Sequence, residues 1–324
     1  MPANLPPQYV EAEKRYRAAK GPEEKVEALQ AMLAAMPHHK GTDKLHGELR
    51  RKIAKLSQEA EKKTATARRA GFFIRKEGAG QVVLVGLANS GKSQLLAALT
   101  GASPEIAPYP FTTQVPALGM ADFEDIQLQV VDTPPIDHRS IRSLLSNTLR
   151  TTDLIVIVVD LAGEPVQQTE TVLGCLADIR VVSHQAEDTD PGLSKRRMLI
   201  VGNKYDLPGA GHNYATLLKQ YGAAFPVLSA SHLDEQGLQI LKHSIFHSLD
   251  IVRVYTKAPR DKADRTAPII LPRASTVQDA AEELHRDFAA RLKYAVIWGS
   301  GKFDAQKASR THQLQDGDVI EFHT

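Results

Sequence analysis

The stretch Gln81–Ser93, QVVLVGLANSGKS, contains an apolar strand, a glycine-containing turn and the first residues of a helix. It matches the spacing G-x-x-x-x-G-K-[ST] in the strand-to-helix context that this motif requires. The two glycines let the backbone curl so that its N–H groups point at an anion, beside the positive end of a helix dipole. The lysine and the hydroxyl that follow suit phosphate and Mg²⁺. The stretch therefore predicts binding of a nucleoside triphosphate, with phosphate contacts from Gly86, Leu87, Ala88, Asn89, Ser90, Gly91, Lys92 and Ser93.

The composition of the whole chain is that of a globular protein. Its 324 residues are 42% hydrophobic and 24% charged, which fits about two or three domains. The longest apolar run, Leu154–Val159, is far shorter than the roughly 20 residues of a membrane span, so we expect no span. The first residues lack the apolar core of a secretory signal, and the single cysteine, Cys175, excludes an internal disulfide. These features predict a cytoplasmic protein.

The pattern of apolar and charged residues changes twice along the chain, and we predict three domains at residues 1–78, 79–250 and 251–324. The first has apolar residues at helical intervals and predicts a helical hairpin. Its basic residues cluster after Lys40 without interleaved aromatics, which indicates either phosphate contact or a solvated helix face, but not base stacking.

The second region alternates strands with helices and predicts a parallel sheet covered on both faces, with an exposed loop at Ser183–Lys195. The third predicts a small α+β module with one helix on a mixed sheet.

Three motifs follow the glycine-containing turn in the order that a GTP-binding domain requires. Tyr109–Thr113, YPFTT, supplies a loop hydroxyl for Mg²⁺, although taken alone this stretch is better explained as a proline-restricted loop with surface threonines. Asp132 ends an apolar strand, where it can hold Mg²⁺ through water. Asn203-Lys204-Tyr205-Asp206 follows another apolar strand, and the Asp206 carboxylate can accept both N1–H and N2–H of guanine. The alternative for this motif is an Asx-type turn.

A fourth, weaker signal is Ser229-Ala230-Ser231, which follows the last predicted strand of this region. A backbone N–H in this loop can reach guanine O6. Ser-Ala-Ser is also a common loop sequence, so the signal has value only together with the other motifs.

Taken together, these residues resemble GTPases of the Obg type, and more closely the developmentally regulated GTP-binding protein family. GLANSGKS, YPFTTQVP, DTPP, NKYD and LSAS are similar to its five guanine-nucleotide motifs, and the segment from RVYTKAP to DGDVIEF is similar to its TGS domain. The resemblance implies an α/β fold: a Ras-like P-loop GTPase domain between an N-terminal helical region and a C-terminal β-grasp (TGS) domain.

The resemblance also implies roles for individual residues. Guanine would be recognised by Asn203, Lys204, Asp206, Ser229 and Ala230. The metal ligands for Mg²⁺ would be Ser93 and Thr113, with Asp132 acting through water. Lys92, Thr113 and Asn89 would be the residues that assist catalysis. In potassium-stimulated relatives an asparagine at the place of Asn89 coordinates K⁺ beside the phosphates; the alternative is an ordinary polar loop residue.

Two positions depart from the usual GTPase patterns: the first departs from that of the family, and the second from that of Ras-like enzymes, a hydrophobic replacement that the relatives share. Pro135 stands where the family has a glycine whose N–H contacts the γ-phosphate, and proline has no N–H. Such a charge-assisted hydrogen bond contributes roughly 1.5 to 3 kcal/mol, so we expect a weaker distinction between GTP and GDP. Ile136 stands where Ras-like enzymes have the glutamine that orients water. Hydrolysis is therefore expected to be slow.

The function predicted from these motifs is Mg²⁺-dependent hydrolysis of GTP to GDP at a slow rate, and the resemblance to potassium-stimulated relatives implies stimulation by K⁺. The family resemblance adds a role in translation, with contact to the ribosome or RNA through the basic N-terminal helix and the TGS domain, and a protein partner. A scaffold that binds GTP or GDP with little hydrolysis is the main alternative, and Pro135 favours it. An ATPase on the same phosphate loop is opposed by Asp206.

Overall fold

The computed structural model describes residues 7–18, 22–36, 46–47, 49–53, 74–101, 105–106, 116–187, 190–259, 263–301, 303 and 305–323. They belong to two units, Met1–Gly71 and Phe72–Thr324. This division lies seven residues before the predicted boundary after residue 78, and the two later domains share the second unit. Among the described residues, no helix is both long enough and apolar enough to cross a bilayer.

The first unit contains a helical hairpin, as the apolar spacing predicts. Helix α1 (Pro7–Ala18) packs on α2 (Pro22–Ala35), and the described residues from 46 to 53 are also helical. One buried cluster joins the three segments: Tyr9, Ala12, Leu29, Met32, Met36 and Leu49. Most of the basic residues predicted to contact phosphate, including Lys55, Arg68 and Arg69, lie outside the described residues.

The second unit begins with an α/β domain. Its helices are α3 (Lys92–Thr100), α4 (Arg139–Thr151), α5 (Pro165–Asp178), α6 (Ala210–Tyr221) and α7 (Glu235–Leu249). Its strands are β1 (Gln81–Val85), β2 (Glu105–Ile106), β3 (Ala117–Phe123), β4 (Ile126–Asp132), β5 (Leu154–Asp160), β6 (Val181–Ser183), β7 (Ser194–Asn203) and β8 (Val227–Ser229).

These strands form one sheet in the order β2-β3-β4-β1-β5-β7-β6, with β8 also paired to β7. The central strands β1 and β5 are apolar and buried on both faces, as in a parallel sheet covered by helices. The prediction of a wholly parallel sheet is wrong at one edge, because β3 pairs antiparallel with β4 through the two-residue turn Glu124-Asp125. The predicted loop at Ser183–Lys195 is shorter than expected, since β6 ends at Ser183 and β7 begins at Ser194.

The same unit ends in a five-stranded mixed sheet with the order β10-β9-β13-β11-β12. Its strands are β9 (Ile251–Thr256), β10 (Asp264–Pro272), β11 (Tyr294–Trp298), β12 (Gln306–Ala308) and β13 (Asp318–His323). Two short helices, α8 (Val277–Leu284) and α9 (Arg286–Arg291), replace the single helix that we predicted. Thr276 and Asp279 form a capping box that starts α8.

A cluster of charged residues joins this sheet to the β3–β4 turn; we call it the Arg253 cluster. The Arg253 guanidinium, which is 10% exposed, donates to Asp316 at 2.8 Å, to Asp125 at 2.7 Å and to Glu124. Tyr255 donates its hydroxyl to Asp125. The hydrogen bonds to Asp316 are the main reason that the pKa of Arg253 is raised, and burial, followed by the bond to Asp125, raises the pKa of Tyr255 to about 12.

Candidate functional site

The turn between β1 and α3 has the shape of a phosphate-binding loop. Gly91 precedes α3 with φ of 87°, and a Cβ added there would lie 2.1 Å from Asn203 Nδ2. A Cβ added at Gly86 would lie 2.4 Å from the carbonyl oxygen of Val158. Both glycines are therefore required by close approach of the neighbouring strands β5 and β7, and Gly91 also by its left-handed backbone.

Lys92 lies under this loop rather than on the protein surface. It is 6% exposed, and its ammonium donates to the carbonyl oxygens of Leu87 at 3.0 Å and Gly86 at 3.3 Å. Burial lowers the pKa of Lys92, while Asp132 and Asp137 oppose this effect. The side chain is thus a buried positive charge held against the loop that would receive phosphate oxygens.

Ser93 and Asp132 form the oxygen-donor pair that the sequence assigned to Mg²⁺. The Ser93 hydroxyl donates to Asp132 Oδ2 at 2.5 Å, whereas Asp132 Oδ1 is buried and has no hydrogen-bond partner. Burial raises the pKa of Asp132, against the effects of Ser93 and Lys92. A carboxylate and a hydroxyl are suitable ligands for a hard cation, so this pair fits Mg²⁺. Thr113, the third predicted ligand, lies outside the described residues.

Asn203 ties the end of β7 to the phosphate loop. Its Nδ2 donates to the carbonyl oxygen of Ser90 at 3.0 Å, and its side chain is fully buried. Lys204, with φ of 63°, donates to Asp160 Oδ2 at 2.5 Å at the carboxyl end of β5. Two residues of the NKYD motif are therefore fixed in place by contacts with neighbouring segments.

Asp206 is exposed and accepts a hydrogen bond from a side chain of the protein itself. The Ser231 hydroxyl donates to the Asp206 carboxylate, and this hydrogen bond is the main reason that the pKa of Asp206 is lowered. Ser231 itself is only 3% exposed. The residue pattern places Ser231 in the Ser-Ala-Ser loop without a role of its own, and the β7–β8 ladder ends one residue before it.

The backbone N–H of Ala230, a residue predicted to recognise guanine, belongs to that ladder. The Ala230 N–H donates to the carbonyl oxygen of Gly202 at 2.8 Å, so this donor is already used in pairing β8 to β7. Ser229 is the last residue of β8 and pairs with Gly202. The pairing of β8 with β7 therefore extends one N–H further than the apolar pattern indicates, to Ala230.

An open cavity of about 630 Å³ joins the phosphate loop to the Ser93–Asp132 pair and to the NKYD motif. Its walls include Asn89, Lys92, Ser93, Asp132 and Lys204, so the fold brings together residues from three separate motifs. Asn89 is exposed and has φ of 61°, which an asparagine tolerates well.

Pro135 and Ile136 lie at different depths in the structure. Pro135 is half-buried and lines the cavity. Ile136 donates its backbone N–H to Gly86 at 3.3 Å, but its side chain is completely buried in the apolar core. The Ile136 side chain therefore has no access to a water in the cavity.

Comparison with known proteins agrees with this geometry. Residues 81–204 match the family described as 50S ribosome-binding GTPase, and residues 252–324 match the TGS domain. The chain is therefore a GTP-binding protein in which a P-loop GTPase domain precedes a TGS domain.

Several relatives align with most of this chain and over most of their own length. An uncharacterised GTP-binding protein of Methanocaldococcus jannaschii is 28% identical, covering 93% of this chain and 92% of the relative. Developmentally-regulated G-protein 3 of Arabidopsis thaliana is 27% identical (92% and 97% covered), and human developmentally-regulated GTP-binding protein 2 is 24% identical (92% and 98% covered). The resemblance to the developmentally regulated GTP-binding proteins is confirmed.

Among solved structures, the G domain of the T. maritima FeoB iron transporter is similar at 23% identity, covering 52% of this chain and 98% of that domain with a TM-score of 0.41. This TM-score is too low to carry an argument about function.

Proposed function

We propose that this protein binds GTP with Mg²⁺ and hydrolyses it slowly to GDP and phosphate. The observation that carries the proposal is the junction of Lys92, the Ser93–Asp132 pair and Lys204 on one cavity. The buried ammonium would contact the β- and γ-phosphates, and the NKYD residues would hold the base. Mg²⁺ bound at Ser93 and Asp132 would neutralise charge on the phosphate oxygens.

The residues in the cavity act by position and charge. The phosphate-loop N–H groups and Lys92 would stabilise the charge that builds up on the γ-phosphate oxygens while water attacks in line. Since the Ile136 side chain is buried, it supplies neither a base nor a hydrogen bond to that water. Pro135 has no N–H to offer the γ-phosphate. These two features support a slow rate.

Guanine selectivity in this proposal depends on Asp206, held by Ser231. An ionised carboxylate accepts two N–H bonds from guanine, which adenine does not offer. Asp206 is ionised at neutral pH because the ordinary pKa of an aspartate is well below neutrality, and the hydrogen bond from Ser231 lowers that pKa further. We keep Ser229 in the proposal as a neighbour of the base, but the donor to guanine O6 would come from a residue after Ala230.

Potassium stimulation is a finer proposal that depends on Asn89. Its exposed side chain lines the cavity beside Lys92, so its amide oxygen can lie close to the phosphates. K⁺ there would add a positive charge where other GTPases use an arginine.

A role in translation, with contact to the ribosome or RNA and to a protein partner in the cytoplasm, is proposed from the family resemblance. Arg50, Arg51 and Lys52 begin the basic segment that would contact phosphate, and Arg50 and Arg51 are exposed. The remaining basic residues of that segment lie outside the described residues.

A second candidate function is a nucleotide-dependent scaffold with little hydrolysis. It is favoured by Pro135 and by the burial of Ile136, which remove two contacts that assist the reaction elsewhere. Both candidates require guanine-nucleotide binding, so they differ only in turnover.

Single-turnover GTP hydrolysis in potassium and in sodium separates them. Proposed variants are Pro135→Gly, which restores an N–H, and Asn89→Gly, which removes the amide and keeps the left-handed backbone. Ala88→Gly, at the adjacent exposed position, controls for added loop flexibility. Faster turnover in potassium that Asn89→Gly alone abolishes supports the GTPase with a K⁺ site. Bound GTP with no turnover in either salt supports the scaffold.

A further inference from the structure

The candidate site contains two lysines whose hydrogen-bond partners differ in charge. Lys92 donates to the carbonyl oxygens of Gly86 and Leu87, which carry no net charge. Lys204 forms an ion pair, with its Nζ 2.5 Å from Asp160 Oδ2. Both lysines line the same cavity. The Asp160 carboxylate therefore cancels a positive charge on the side of the NKYD motif, whereas the carbonyl partners of Lys92 do not cancel its charge.

Asp160 is the last residue of β5, at the carboxyl end of the sheet. In the parallel pairing of β5 with β7 it lies opposite Asn203, the residue before Lys204. Its Oδ1 accepts from the Ala162 N–H at 2.9 Å, and its Oδ2 accepts from Lys204. Each oxygen of the carboxylate therefore has a donor, and the orientation of the carboxylate is fixed from two sides.

The backbone of Asp160 is held by a glutamine side chain of α5. The Gln168 amide accepts from the Asp160 N–H at 2.9 Å and donates to the Asp160 carbonyl oxygen at 3.1 Å. Strand β1 ends at Val85, opposite Ile157, so it stops before it reaches Asp160. Gln168 thus takes the place that a residue of β1 would occupy in a longer sheet.

A second amide holds the residues that follow Asp160. Asn213, on α6, donates its Nδ2 to the carbonyl oxygens of Leu161 at 2.7 Å and Gly163 at 3.2 Å. The turn after β5 is therefore anchored to two helices. Because Asp160 begins this turn, its position is set by contacts other than the ion pair with Lys204.

Lys204 depends more strongly on the ion pair than Asp160 does. Its φ of 63° lies in the left-handed region, which is uncommon for a lysine. Its long side chain has many rotamers in solution, and the pair with Asp160 directs it along the cavity wall. The side chains of Lys204 and Asp160 are 24% and 22% exposed, so solvent screens the pair only in part.

We infer that Asp160 is a positioning residue for the guanine nucleotide. It would hold the stem of Lys204 flat against the base and cancel the charge of the ammonium. The phosphates would then be attracted to Lys92 and not to the base side of the cavity. The inference rests on the proposed nucleotide binding and adds Asp160, supported by Gln168, to that site. Asp160 itself would not touch the nucleotide.

Asp160→Asn tests the inference, because it keeps the shape of the side chain and removes its charge. We would titrate the full-length protein by calorimetry with GDP and with inorganic pyrophosphate, each at about 50 and about 200 mM NaCl. The Kd for GDP should rise about tenfold, the effect of losing one hydrogen bond to a charged group. The Kd for pyrophosphate should instead fall about threefold at the lower salt, as for one charge interaction at a partly exposed site. This gain should shrink at the higher salt.

Changes of opposite sign identify the effect of charge, since a general loss of structure would weaken the binding of both ligands. Lys204→Gln added to Asp160→Asn should return the affinity for pyrophosphate to the wild-type value, because the freed ammonium is gone. Gln168→Leu keeps every charge and should weaken GDP binding about threefold with no gain for pyrophosphate. Asp178→Asn is the matched control: it removes an exposed carboxylate that pairs with Arg142 in the same domain, and neither affinity should change.

Three results would overturn the inference. The first is GDP binding that is unchanged in Asp160→Asn, and the second is pyrophosphate binding that does not tighten in it. The third is pyrophosphate binding that stays tight when Lys204→Gln is added, because the ammonium would then not be the cause. Each of these leaves the proposed function standing as long as the wild-type protein binds GDP. Failure of the wild-type protein to bind GDP would refute the proposed function itself.

Discussion

Replacing Ser231 by alanine should weaken guanine-nucleotide binding, because the Ser231 hydroxyl holds the Asp206 carboxylate. A hydrogen bond to a charged group contributes about 1.5 to 3 kcal/mol when buried, and Asp206 is exposed, so the lower part of that range or less applies. A loss of about 1.4 kcal/mol corresponds to a tenfold increase in Kd for GDP. Equilibrium titration with a fluorescent GDP analogue measures it.

Ser229→Ala is the matched control, because it also removes a serine hydroxyl, but from the last residue of β8, two residues before Ser231. We expect less than a twofold change for it. Asp206→Asn should lose guanine selectivity whichever serine is intact. A tenfold loss in Ser229→Ala, with no loss in Ser231→Ala, would refute the argument from the β7–β8 ladder and restore the motif position indicated by the sequence.

Four other outcomes follow from the site and the Arg253 cluster. Pro135→Gly should improve the preference for GTP over GDP about tenfold in competition titrations, since it restores one N–H to the γ-phosphate. Gly91→Ala should weaken GDP binding at least about a hundredfold by titration, because its Cβ would strike Asn203. Burial raises the pKa of Asp132, so without metal the contribution of this carboxyl group to stability is present at low pH and is lost as pH rises through that pKa. The gain in Tm from Mg²⁺ and GDP should instead grow over the same pH range. Asp132→Asn should abolish this pH dependence. Arg253→Met should lower the free energy of unfolding by about 2 kcal/mol in urea, because three carboxylates lose their partner and are themselves partly exposed.

The sequence predicts the parts of the fold that repeat with a simple period. Strands β1 and β5 are continuous apolar runs, which is why both were predicted. Strand β3, ALGMADF, mixes glycine, aspartate and apolar residues, and most of its side chains are half-buried. Its pairing with β4 depends on a turn at Glu124, whose positive φ is not typical of glutamate, so the antiparallel edge could not be inferred.

In the candidate site, too, some residues could be predicted from the sequence and others could not. The phosphate loop is contiguous, so its spacing alone predicts Gly86, Gly91, Lys92 and Ser93 in one place. Ser231 acts on Asp206 only because the β7–β8 ladder ends at Ala230, and hydrogen-bond ladders are not visible in a residue pattern. Each hydrogen bond of the Arg253 cluster joins residues 63 to 130 positions apart, for which a single sequence contains no signal.

The β3–β4 hairpin connects Asp132, at the candidate site, to the Glu124-Asp125 turn, which binds Arg253. Its pairing runs without interruption from Ala117 opposite Asp132 to Phe123 opposite Ile126, a length of about 20 Å at the usual rise per residue. At that length, a tilt of about 5° at Asp132 displaces the far turn by nearly 2 Å. The ion pairs of Arg253 with Asp125 and Asp316, at 2.7 and 2.8 Å, cannot stretch by that amount. Any such tilt must therefore carry the TGS domain with it or break its attachment.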